Sequence, residues 1–80
     1  MFYVYVLYSP SLKKYYVGST NVVQIRLEQH NAGRSNFTSR GTPWILVVTI
    51  ECKSRIEAVR LESKIKKRGI GRYLSDNNLL

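Results

Sequence analysis

The sequence predicts an α+β domain: a small three-stranded antiparallel sheet flanked by helices, in the order β-β-α-β-α with a short last helix or docked tail. Three observations predict it. Residues 2–8, 15–17 and 44–52 are aromatic and β-branched runs of strand length. Apolar residues recur at helical spacing between the second and third runs, and again after the third. Eighty residues suffice for one core with short connections, and no repeat, linker or low-complexity segment divides them, so residues 1–80 are expected to form one domain.

Residues 2–8, FYVYVLY, carry no polar alternation, which predicts a strand covered on both faces. Ser9-Pro10-Ser11 breaks the run. Lys13 and Lys14 lead into Tyr15-Tyr16-Val17, a second strand close enough to pair as a hairpin. Gly18 is expected to end that strand, as a backbone requirement at a bulge or close approach. Thr20 or Asn21 then supplies a helix cap. Val23, Leu27 and His30, at i, i+4 and i+7, draw one helical face. Asn31-Ala32-Gly33 stops the helix. Residues 34–43 form a polar loop carrying Arg34 and Arg40. Residues 44–52, WILVVTIEC, read as a buried strand by their length and branching. Ser54 and Glu57 have the spacing of a capping box. The helix they open has Ala58, Leu61 and Ile65 on its apolar stripe and runs out at Gly69.

Thirteen Lys and Arg face five acids, a net charge of +8. So positive a surface attracts polyanions, and the cations are interleaved with apolar segments rather than gathered in a tail, which favours nucleic acid as the partner. The single Cys52 cannot form an internal disulfide and reads as a small core residue. No stretch approaches the apolar length of a membrane span, and the start lacks the cationic segment of a signal peptide. The expected location is the cytoplasm, with no membrane partner.

Tyr3-Val4-Tyr5 and Tyr16-Val17-Gly18 resemble the paired motifs of the GIY-YIG nucleases, with Tyr3 at the first motif's Gly position and Val17 in place of Ile. Eleven positions separate Tyr5 from Tyr16, ten separate Tyr16 from Arg26, and four separate Arg26 from His30. The family places a Tyr, a Tyr, an Arg and often a His or Tyr at about these intervals, then a Glu on a later helix, where Glu62 stands. The resemblance covers essentially the whole chain and is closest to short stand-alone members. It implies a metal-dependent endonuclease acting on DNA, with RNA as the alternative substrate. It also implies a place in a larger repair or recombination assembly.

These residue types make chemical sense together. Phosphodiester hydrolysis needs an activated water, counter-charge at the phosphorus and help for the leaving oxygen. Glu62 as sole carboxylate ligand suits one Mg²⁺ or Mn²⁺ that keeps several waters. Arg26 can fork onto non-bridging oxygens. The resemblance makes Tyr16 the residue that takes the water's proton, with Tyr5 beside it to orient or polarise. A free phenol titrates near pH 10, so forming phenolate at pH 7 costs about 4 kcal/mol unless neighbouring cations lower it. His30 is the second candidate for base or relay; the bland reading makes it a polar residue near a helix end. Without the resemblance, Glu62 reads simply as the i, i+4 partner of Lys66. Arg60, Lys64, Lys67 and Arg68 lie on one side of the second helix and, with Arg34 and Arg40, are candidates for tracking phosphates. Asn77 lies fifteen positions beyond Glu62, where larger family members carry an Asn near the site. Two other readings stand beside catalysis: a nucleic-acid-binding module that kept the fold, and a subunit whose basic face docks an acidic protein.

Overall fold

In the computed structural model, which describes residues 1–33 and 39–79, the first aromatic run is β1 (Phe2–Ser9). It is the central strand of a sheet ordered β2-β1-β3, with β2 (Lys14–Thr20) and β3 (Ile45–Cys52) both antiparallel to it. A central strand is covered on both faces, which is why FYVYVLY shows no polar alternation.

Successive side chains on a strand point to opposite faces. Val4 and Val6 therefore join Val17 in one core, closed by Ala58 and Ile65 of α2 (Arg55–Arg68) and Leu74 of α3 (Ile70–Asp76). Tyr5 and Leu7 join Trp44 in a second core, closed by Tyr16 and by Val23 and Leu27 of α1 (Val23–Asn31). The sheet thus lies between α1 on one face and α2 with α3 on the other. Among the described residues no helix is long and apolar enough to cross a membrane.

Ser54 caps α2 as its spacing predicts, its Oγ accepting the Glu57 N–H at 3.2 Å. Gly69 has φ of 95°, a conformation that L side chains rarely adopt, and there the chain leaves α2 and restarts as α3. Buried Leu74 docks this last helix.

Three expectations are corrected. Gly18 does not end β2, which pairs with β1 as far as Thr20 opposite Tyr3. Neither Thr20 nor Asn21 is the α1 cap: Val22 holds that position without a side-chain hydrogen bond, while Thr20 Oγ1 accepts the Val22 N–H at 3.1 Å in a local turn. The third strand is not buried along its length. It is an edge strand, with Ile45 52% exposed; Val47, Val48 and Ile50 pack on the larger core, and Cys52 is buried at the strand's end. An apolar run of this length looks alike whether the strand is central or at an edge.

Candidate active site

Tyr5 projects from β1 toward α1, almost wholly buried, directly opposite Gly18 on β2. A Cβ at position 18 would stand 2.5 Å from Tyr5 Oη and 2.7 Å from Cζ. The positive-φ glycines of the described residues are Gly33 and Gly69, so backbone strain is not what Gly18 relieves. Its role is a contact, not the backbone requirement the sequence suggests: it leaves room for the outer half of the Tyr5 ring. Gly18→Ala is therefore expected to cost about 1–3 kcal/mol, as overpacking does. Urea denaturation checks this, and a loss under about 0.5 kcal/mol would mean the ring moves aside freely.

Behind Tyr5 sits His30, the last buried residue of α1, with Nε2 3.0 Å from Tyr5 Oη. One turn earlier, Arg26 donates from Nη1 to Gln29 Oε1 at 2.8 Å, and its guanidinium is electrostatically coupled to the Tyr5 and Tyr16 hydroxyls. Tyr5 Oη thus stands between the Arg26 guanidinium and His30 Nε2, and the three side chains form one polar cluster.

Burial, then the charge of Arg26, holds the His30 pKa below its ordinary value, so the ring is neutral. Burial pushes the Tyr5 hydroxyl above its ordinary value against the opposing pull of Arg26, so Tyr5 keeps its proton at neutral pH. A consequence for stability follows from His30. Its folded pKa lies below its unfolded value, so the unfolded chain binds the extra proton first on acidification. The His30 contribution is fully present above the ordinary value of 6.5 and is lost as pH falls below it. Denaturation between pH 8 and pH 5 should show this slope, and His30→Gln should flatten it. Equal slopes in the two proteins would remove His30 as its source.

Tyr16, half-buried on β2, meets His30 edge-on at 4.9 Å between centroids, Tyr5 at 6.3 Å and Trp44 at 6.3 Å. Trp44 is fixed from α1. Asn31 Nδ2 donates to the Trp44 carbonyl at 3.2 Å, and the Trp44 N–H donates to Asn31 Oδ1 at 2.6 Å. The sequence shows Asn31 only as part of a helix stop, because a fork to a residue thirteen positions later leaves no local pattern.

Glu62 stands on α2, across the sheet from α1, yet its charge raises the Tyr5 pKa, which puts its carboxylate within electrostatic reach of the phenol. It accepts from Lys66 Nζ at 2.8 Å, with Glu62 20% and Lys66 58% exposed. A pocket of about 420 Å³ opens beside Tyr16, lined by Tyr15, Tyr16, Val17, Lys66 and Ile70. The site therefore wraps the free edge of β2. Tyr16 opens to the pocket, whereas Tyr5 and Arg26 do not line it. Lys66, seen in the sequence only as a partner for Glu62, is a rim residue.

The remaining candidates divide. Arg40, in the 3₁₀ turn Ser39–Gly41, is exposed, as are Arg60, Lys64 and Lys67 on α2. Arg68 is taken up by Asp76 of α3, donating from Nε at 2.6 Å and from Nη2 at 3.1 Å. Asn77 closes α3, its Nδ2 donating to the Tyr73 carbonyl at 2.8 Å. Arg34 lies outside the described residues.

Residues 1–69 match the family model described as the GIY-YIG catalytic domain. The chain belongs to the GIY-YIG family. It is 43% identical over 68 residues to a UPF0213 protein of Halobacterium salinarum, covering 84% of this chain and 87% of that one. Among solved structures it resembles the solution NMR structure of the UPF0213 protein BH0048 from Bacillus halodurans, with TM-score 0.59 and 30% identity, covering 99% of this chain and 85% of that one. GIY-YIG domains are nuclease domains that generally use divalent metals. The donor set here bears on that. Among the described residues no three His, Cys, Asp or Glu side chains gather into a metal cluster. A single carboxylate fits a hard cation that keeps most of its waters and takes further oxygens from a phosphate. Glu62 fits such an ion once Lys66 swings away, which its exposure and flexible stem permit.

Proposed function

We propose that this domain is an endonuclease that hydrolyses DNA phosphodiester bonds with one Mg²⁺ or Mn²⁺ held by Glu62. The observation that carries the reading is the position of Tyr16. It is packed on His30, electrostatically coupled to Arg26, and open to the pocket lined by Lys66, the ion-pair partner of Glu62.

The geometry supports the following roles. Tyr16 first releases its own phenolic proton to solvent, and the resulting phenolate receives the proton of the attacking water. Arg26 orients that phenol and, from the same guanidinium, forks onto non-bridging oxygens of the scissile phosphate. Buried His30 does not meet the water; it holds the Tyr5 hydroxyl, which in turn fixes Arg26. A cation bound at Glu62 supplies Lewis acidity to the phosphate and charge for the leaving oxygen. Nothing in the chain resembles a sequence-reading module, so selectivity is for structure (ends, nicks, branches, flaps) or is weak. The exposed cations of α2 and Arg40 hold the flanking phosphates, in the cytoplasm and within a larger repair or recombination assembly.

The test is incubation with branched and linear DNA in Mg²⁺ or Mn²⁺, beside Glu62→Ala and Arg26→Ala. Metal-dependent cutting by the wild type alone supports the enzyme. Cutting no greater than that of the variants defeats it. The Glu62–Lys66 pair favours a second reading, in which an internal cation permanently occupies the carboxylate and the fold serves as a nucleic-acid-binding module. That reading requires salt-sensitive binding that survives loss of Glu62.

A further inference from the structure

We propose that the pocket between β2 and α3 receives one unstacked nucleobase of the substrate, next to the phosphate served by Tyr16. The inference rests on the nuclease reading only for the position of that phosphate, since Tyr16 is a wall of the pocket and a member of the site.

At about 420 Å³ the pocket falls within the roughly 300–1,000 Å³ of small-molecule sites. Its walls suit a flat, apolar ring with a polar edge: Tyr15 and Tyr16 are aromatic, Val17 and Ile70 are aliphatic, and Lys66 stands at the mouth. The Tyr15 ring is held in place. It packs on Tyr8 at 4.9 Å between centroids, and a carbon built at Gly71 would lie 3.6 Å from its Cε2, so the α3 backbone comes up against it. A fixed ring is a stacking platform, and base–aromatic stacking tolerates any base.

Two further observations point to nucleic acid rather than a small apolar ligand. Tyr15 also borders a second cleft of about 250 Å³ with Leu12, Lys14, Arg40 and Trp44, so cations lie on both sides of the ring. A strand running from Lys14 and Arg40 past Tyr15 to Lys66 keeps phosphates on cations and one base in the pocket. The wall residue Ile70 and the backing residue Gly71 belong to α3, beyond residues 1–69 that match the catalytic-domain model. The pocket is thus built partly by a segment outside the matched catalytic domain. A paired base cannot enter it, so the pocket selects unpaired nucleotides.

The test compares binding of a short single-stranded thymidine oligonucleotide with a fully abasic deoxyribose-phosphate oligomer of the same length and charge. Fluorescence anisotropy in EDTA excludes cleavage from the readout. The thymidine oligomer should bind about tenfold tighter or more. Ile70→Ala and Tyr15→Leu should bring that ratio toward one while leaving affinity for the abasic oligomer unchanged. Equal affinity of the wild type for both oligomers, or a ratio untouched in folded variants, overturns the pocket. If neither variant folds, the wild-type ratio decides. A protein that shows the ratio and its loss in the variants but cuts no DNA keeps the pocket and loses the nuclease reading.

Discussion

Glu62→Gln is expected to lower metal-dependent cleavage by about 10³-fold or more while leaving the fold intact. The magnitude follows from charge. Lewis-acid stabilisation of a phosphoryl transition state supplies several kcal/mol, and each 1.36 kcal/mol is about a factor of ten in rate. Glutamine keeps the size of the side chain and an oxygen but loses the negative charge that recruits the ion. The structural cost is small by comparison. The Lys66 pair is a partly exposed i, i+4 contact, worth about 0.3–0.5 kcal/mol. Cleavage rates in Mn²⁺, thermal melting and isothermal titration of Mn²⁺ separate these effects. A variant that melts normally and still binds and uses Mn²⁺ would remove Glu62 as the metal holder. Lys66→Met sharpens the test in the opposite direction. With the competing ammonium gone, Mn²⁺ should bind Glu62 more tightly than in the wild type. Unchanged affinity would show that the 2.8 Å pair does not stand in the ion's way.

Much of this site is legible in the sequence because it depends on local spacing. The helical offset of four places Arg26 and His30 on one side of α1, and strand alternation places Tyr5 and Tyr16 on the α1 face. The Ser54 cap and the Gly69 break are local signals too, and both appear where the residues put them. What the sequence cannot show are relations between elements. That β3 lies at an edge depends on the order β2-β1-β3, which no single strand encodes. That Gly18 faces the Tyr5 ring depends on the register of two strands. The pairing of Arg68 with Asp76 depends on the turn at Gly69 bringing α3 back on α2. His30 is the sharpest case. Helix spacing places it near Arg26, but only the packed structure shows it buried behind Tyr5, with Nε2 against the phenol oxygen.

Tyr16→Phe isolates the other half of the chemistry. A positioned proton acceptor contributes about 10²–10⁴-fold, and the loss of cleavage should fall in that range. Phenylalanine keeps the ring that packs on His30, Tyr5 and Trp44, so the second core is retained and melting should shift little. Tyr5→Phe provides the contrast. Tyr5 is a buried hydroxyl against His30, so its removal takes away the 3.0 Å hydrogen bond to Nε2 inside the core. Losing a hydrogen bond of this kind costs about 0.5–1.5 kcal/mol. The two variants are therefore expected to part company: Tyr16→Phe is stable and slow, whereas Tyr5→Phe is measurably less stable. Single-turnover cleavage at saturating DNA, paired with urea denaturation, reads both axes. If Tyr16→Phe cuts at the wild-type rate, the proton goes elsewhere. The edge of β2 would then orient the phosphate without taking part in the proton transfer.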